Sequence, residues 1–81
     1  MSPIQLNVRY FAAARAAVGM DTEVLLVAGG STLDALIIKL LSCHPELRHL
    51  LPRCSFLYNG VAVRDRSQVL DGNHTVDVLP P

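Results

Sequence analysis

From Ile4 to Phe11 the chain alternates: Ile4, Leu6, Val8 and Tyr10 project to one side, and Gln5, Asn7, Arg9 and Phe11 to the other. A period of two marks a strand half-buried in a sheet, with its inner face set by Ile4, Leu6 and Val8. Ala12 to Val18 is alanine-rich with a single arginine and ends at Gly19. It fits either a helical turn or a wide loop between strands. Asp21 to Val27 reads as a second strand, broken by Ala28-Gly29-Gly30.

The period changes after Ser31. Leu33, Leu36, Ile37, Leu40 and Leu41 recur at i, i+3, i+4, i+7 and i+8, one broad apolar stripe on a helix. Ser31 is placed to cap the exposed N–H groups of the first turn, and Asp34 stands where a capping box carries Glu. Pro45 ends the helix near Cys43-His44. Pro45 to Leu51 is expected to form a second short turn, with Leu47, Leu50 and Leu51 facing inward and Pro52 closing it.

Arg53 to Tyr58 predicts a third strand, Asn59-Gly60 a hairpin, and Val61 to Arg64 a short fourth strand. Asp65 to Leu70 leads irregularly to a turn at Asp71-Gly72-Asn73-His74. A last strand follows from Thr75 to Leu79, with Val76 and Val78 inward and Thr75, Asp77 and Leu79 outward. Pro80 and Pro81 have no N–H to extend a ladder, so they project the chain from the sheet as a stiff stalk. The expected fold class is α+β in the order β-β-α-β-β-β, a mixed sheet of about five strands crossed by one main helix. The first hairpin and the last strand must share that sheet, because the helical stripe needs one continuous apolar face to cover.

The totals fit one domain over residues 1–81. A chain this short buries only about 60% of its unfolded surface. Half-hydrophobic composition with 17% charged residues is that of a globular chain. Zero net charge without a basic run argues against nucleic acid as a partner. No apolar stretch reaches the roughly 18 residues of a membrane span. Met1-Ser2-Pro3-Ile4 lacks the regions of a signal peptide, so the expected location is the cytoplasm and the expected partner is not a membrane. Cys43 and Cys54 would there stay reduced.

Several side chains invite chemistry and fall short of it. Cys43, His44, His49 and Cys54 match no zinc-finger spacing, and adjacent Cys and His rarely converge on one ion, so no metal site is expected. Arg15, Arg53, Arg64 and Arg66 read as scattered surface arginines with Asp65 and Asp71 nearby. His74 has no Ser or Cys placed to make it a general base. Gly29-Gly30 lacks the spacing and lysine of a phosphate cradle and reads as a strand-to-helix turn. No catalytic residue is expected within the chain.

The predicted order with its projecting tail resembles the ubiquitin-like β-grasp. Val8-Arg9-Tyr10-Phe11-Ala12 with Arg15 and Val18-Gly19, and the close Leu70-Asp71-Gly72 with Val76-Asp77-Val78-Leu79-Pro80-Pro81, resemble sulfur carriers of the MoaD/ThiS type, above all the small subunit of molybdopterin synthase. The resemblance spans essentially the whole chain. It implies a carrier without catalysis or cofactor of its own. Such carriers continue past the two prolines to a Gly-Gly end, so the reacting glycine is expected beyond Pro81; a chain ending at Pro81 could carry no sulfur. The resemblance further implies an adenylating and sulfurating enzyme that uses ATP to activate the glycine carboxylate for conversion to a thiocarboxylate. It also implies a large synthase subunit that receives the tail and passes its sulfur to a pterin precursor of molybdenum cofactor. Glycines lack a Cβ and can thread a narrow channel, and a stiff stalk of Leu79, Pro80 and Pro81 limits the entropy lost on insertion.

Phe11 and Leu79 fall on outward faces of strands that are parallel neighbours in a β-grasp, near the end from which the tail leaves. Leu57 joins them if the third strand turns it outward. The expected role of Phe11, Leu57 and Leu79 is to dock the large subunit and the adenylating enzyme. Two rival functions fit the same order: a sulfur carrier for the thiazole of thiamine, and a ubiquitin-like modifier or interaction module whose tail joins lysines of other proteins.

Overall fold

The alternating opening segment forms β1, Pro3–Tyr10, and buries Leu6, Val8 and Tyr10 as its period requires. In the computed structural model, which describes residues 2–71 and 74–81, β2 (Thr22–Ala28) returns antiparallel to it with Leu6 opposite Leu25. The crossover helix α2 (Leu33–Cys43) follows. Two short 3-10 turns, Pro45–Leu47 and Leu51–Arg53, then lead into β3 (Ser55–Tyr58), β4 (Val61–Ala62) and β5 (His74–Leu79). The sheet order is β2-β1-β5-β3-β4. The chain's last strand therefore lies in the middle, parallel to β1 and antiparallel to β3. This is the expected mixed β-grasp sheet.

One element is added to the expected order. Ala12–Val18 is a helix, α1, closed by Gly19, whose φ of +84° suits glycine and whose N–H reaches the Arg15 carbonyl at 2.8 Å. Only Ala14 of α1 is buried, so there is little apolar stripe for a sequence to display.

The stripe on α2 packs as its spacing predicts. Leu33, Leu36, Ile37 and Leu40 are buried against Leu6, Val8, Leu25, Val27, Phe56, Val76 and Val78, while Leu41 is half-buried at the margin. A fully buried leucine of this kind contributes about 1.5–3 kcal/mol. Leu47 and Leu51 from the 3-10 turns complete the core, and Leu50 packs against it half-buried.

The helix cap corrects the sequence reading by one residue. Thr32, not Ser31, is the N-cap, and its side chain accepts from the Ala35 N–H at 3.2 Å. Ser31 instead donates to the Ala28 carbonyl at 2.6 Å and closes the preceding turn. Asp34 forms no capping box, because the connecting segment caps the helix through its backbone. The Gln68 and Arg66 carbonyls accept the Leu33 and Asp34 N–H groups at 3.1 and 2.9 Å, which satisfies donors that helix geometry leaves free.

Other boundaries differ more simply. Arg53 belongs to a 3-10 turn, so β3 begins at Ser55, and β4 stops at Ala62 instead of Arg64. His74 is the first residue of β5 and not part of a turn. The rest of that expected turn, Gly72 and Asn73, lies outside the described residues. Among the described residues no helix is long and apolar enough to cross a membrane.

Candidate functional site

Strand β5 carries the chain to its final residues through the centre of the sheet. Tyr10 pairs with Val78 across the parallel β1·β5 ladder, and the Phe11 N–H donates to the Val78 carbonyl at 3.3 Å. One step further along this register Phe11 and Leu79 are neighbours. Ala12 then turns the chain away with φ +48°, a left-handed conformation that costs a non-glycine residue about 1–2 kcal/mol. The sharp exit leaves Phe11 at the end of β1's outward row while α1 packs against the Pro45–Leu47 turn.

Leu57 pairs with Asp77, and Leu79 with Ser55. Directly opposed residues share a face of a sheet, so Leu57 and Leu79 both point away from α2, and Phe56 points inward and is buried. The three residues picked from sequence are thus on one open face, each half-buried. Pro80 is half-buried beside them and Pro81 exposed.

The sequence reading missed what lies among them. Arg9 pairs with Asp77 across the β1·β5 ladder, with Nε 3.5 Å from Oδ1. Asp77 is on the outward face, as the alternation predicts, yet only 8% exposed. Its Oδ1 is buried and accepts no hydrogen bond, since the Arg9 N–H lies at ion-pair distance without alignment. The Arg9 guanidinium also stands over the Phe11 ring, 5.0 Å from its centroid, within range of a cation–π attraction. The signal was present in the alternation, which makes Arg9 and Asp77 outward, but their meeting required the register.

Beside Phe11 a shallow pocket of about 250 Å³ is lined by Arg9, Tyr10, Phe11, Arg15, Asp21 and Thr22. Arg15 reaches Asp21 at 3.6 Å, both well exposed. The pocket floor is held from the inner side. The Tyr10 hydroxyl donates to Glu23 Oε1 at 2.7 Å, and His44 Nε2 donates to the same oxygen at 2.7 Å. Burial, followed by the hydrogen bond and charge of Glu23, pushes the Tyr10 phenol well above its ordinary value. Burial works to raise Glu23, but the hydrogen bonds from Tyr10 and His44, with the charge His44 carries when protonated, outweigh it and hold the carboxyl below its ordinary value. Glu23 occupies an inner position of β2, in phase with Leu25 and Val27; a carboxylate in an apolar phase was its sequence signal.

The remaining candidates are dispersed. His44 is engaged with Glu23, Cys43 is exposed, and Cys54 is buried with its thiol donating to the Leu50 carbonyl at 3.3 Å. Burial pushes the Cys54 thiol up, partly offset by Arg66. Among the described residues no three His, Cys, Asp or Glu side chains are grouped to hold a metal ion. Arg53 and Arg64 are exposed, and Arg66 stands 5.7 Å from the Phe56 ring centroid. His74 Nδ1 lies 2.7 Å from the Asn59 amide nitrogen and its ring meets Tyr58 edge-on, contacts that brace a hairpin. Gly29 and Gly30 turn the chain between β2 and α2, as expected.

Comparison with known proteins returns molybdopterin sulfur carriers together with small archaeal modifier proteins of similar fold. The ThiS family model matches residues 8–81. The molybdopterin synthase sulfur carrier subunit of Chlamydomonas reinhardtii is 29% identical over 80 residues, covering 96% of this chain and 95% of that protein. A putative molybdopterin converting factor subunit 1 from Pyrococcus furiosus superposes with a TM-score of 0.88 at 23% identity, covering 96% of this chain and 98% of that one. A chain of the complex of subunits 1 and 2 of molybdopterin-converting factor from Helicobacter pylori superposes with a TM-score of 0.72 at 19% identity, covering 96% and 95%.

Proposed function

Because the chain belongs to the ThiS family, we propose that it is the sulfur-carrier small subunit of a molybdopterin synthase, working in the cytoplasm and delivering sulfur as a thiocarboxylate on a Gly-Gly tail beyond Pro81. The observation that carries this reading is the place of β5. The final strand is the middle strand of the sheet, so a tail continuing from Leu79-Pro80-Pro81 would leave from the most firmly held part of the body. The name and near-complete coverage of the Chlamydomonas relative favour molybdopterin over the thiazole of thiamine.

The division of labour follows from the chemistry. A carboxylate is a poor electrophile until an adenylating enzyme converts it, with ATP, to an acyl-adenylate and pyrophosphate. A sulfide-level donor then attacks the acyl carbon, expels AMP and leaves a thiocarboxylate, a better nucleophile than the carboxylate it replaced. The chain supplies no acid, base or cofactor to these steps. Its own work is to dock, through Phe11, Leu57 and Leu79, on the enzyme that charges the tail and then on the large subunit that discharges it. Two enzymes reading one face cannot bind at once, so charging and delivery alternate.

Incubating the full-length chain with its adenylating enzyme, ATP and a sulfur source, then adding the large subunit and pterin precursor, tests the reading. Formation of a terminal thiocarboxylate that is consumed as the dithiolene forms is expected. Isopeptide-linked adducts to other proteins in place of the thiocarboxylate would instead identify a modifier and overturn it.

A further inference from the structure

The docking face carries a charge pair that an apolar handle would not need. Asp77 is held in the central strand at 8% exposure, and its one ion pair among the described residues is with Arg9. A buried carboxylate without aligned donors is costly, and Arg9 is the cation placed to offset that cost. Arg9 is fixed on one side by Asp77 and on the other by the Phe11 ring, while about half of its side chain remains exposed at 49%. A guanidinium has five N–H donors in a fork. With Nε turned toward Asp77, the terminal nitrogens of Arg9 are left for another acceptor.

The pocket beside it sets the charge of that acceptor. Its lining brings two guanidinium groups, Arg9 and Arg15, against one carboxylate, Asp21. Arg15 and Asp21 are both highly exposed and pair weakly at 3.6 Å. Asp77, the second carboxylate beside Arg9, is withdrawn at 8% exposure, so the exposed N–H donors of Arg9 favour an anionic acceptor there. The lining includes Phe11, so the pocket is continuous with the apolar docking patch.

We infer that Arg9, positioned by Asp77, is the specificity-determining cation of the docking face, and that it receives an acidic side chain of the large synthase subunit in the pocket between Phe11 and Thr22. The inference rests on the docking reading given above. Phe11, Leu57 and Leu79 supply contact area, and the Arg9 fork selects a partner with a carboxylate at the matching place. Asp77 is a positioning residue: it fixes the fork without touching the partner.

The test is a titration of the full chain with its own large subunit at low and high salt. Arg9→Gln should weaken binding about tenfold and flatten its salt dependence. Thr22→Glu places a carboxylate directly across the strand pair from Arg9 at an exposed position; it should weaken binding comparably while leaving thermal stability unchanged. The exchange Arg9→Asp with Asp77→Arg keeps the ion pair and net charge but moves the cation one strand over, and should bind as poorly as Arg9→Gln. Unchanged affinity in both single variants, or recovery in the exchange variant, overturns the inference; if Phe11→Asp still abolishes binding, the docking reading survives that loss. A Phe11→Asp chain that binds normally overturns the docking reading and this inference together.

Discussion

Glu23 on β2 and His44 at the end of α2 meet at 2.7 Å across 21 residues of sequence. The Tyr10 hydroxyl donates to the same carboxylate oxygen, so one charge joins β1, β2 and the end of the crossover helix. It ties down the corner from which Phe11 and the pocket rise.

This junction makes stability depend on acid. Glu23 has its folded-state pKa lowered, so the stability it contributes is present above the ordinary carboxyl value of 4.5 and lost as pH falls through the folded one. Thermal melts from about pH 7 down to pH 3 should show a falling midpoint. In Glu23→Gln the midpoint should start lower at neutral pH and fall less on acidification. Parallel acid limbs in the two proteins would remove Glu23 as their source.

The thin core leaves little margin. Leu36 is fully buried on the stripe of α2, and Ile38, two residues on, is 69% exposed. Leu36→Ala should cost about 2–5 kcal/mol in a denaturant titration, a large share of the stability of any domain this small. Ile38→Ala should stay within about 0.5 kcal/mol.

The hairpin between β3 and β4 has both central residues in the left-handed region, Asn59 at φ +51° and Gly60 at φ +81°. A Cβ at Gly60 would meet nothing within 4 Å, so the cost of Gly60→Ala is conformational alone, about 1–2 kcal/mol. Asn59→Ala additionally removes an acceptor for the Thr75 N–H and the amide contact to His74. Equilibrium unfolding should rank both below the parent chain, with Asn59→Ala weakening the start of β5 as seen by amide exchange at Thr75.

What could be read from the sequence was local. The alternation of β1, the stripe on α2 and the Asn59-Gly60 turn each repeat within a few residues, and each sits where its period put it. The helix at Ala12–Val18 was undecided because alanines give no apolar phase. The cap moved from Ser31 to Thr32 because two adjacent hydroxyl residues both suit the role, and distant carbonyls of Arg66 and Gln68 fix the first turn. Phe11 and Leu79 could be brought to one end only through the β-grasp resemblance, which makes their strands parallel neighbours; the β1·β5 register then sets them side by side. The Arg9–Asp77 contact needs that same register resolved to the residue, and Glu23–His44 joins segments that no periodicity connects.

The proposed carrier role requires this body to hold out a reactive carboxyl end for others to charge and discharge. Intact mass of the full-length protein isolated from its native host measures this most directly. A carrier should show a fraction heavier by the difference between one sulfur and one oxygen, located by fragmentation to a C-terminal glycine and lost on incubation with large subunit and pterin precursor. A terminus that stays an ordinary carboxylate, even with the adenylating enzyme, ATP and sulfur donor supplied, would contradict it.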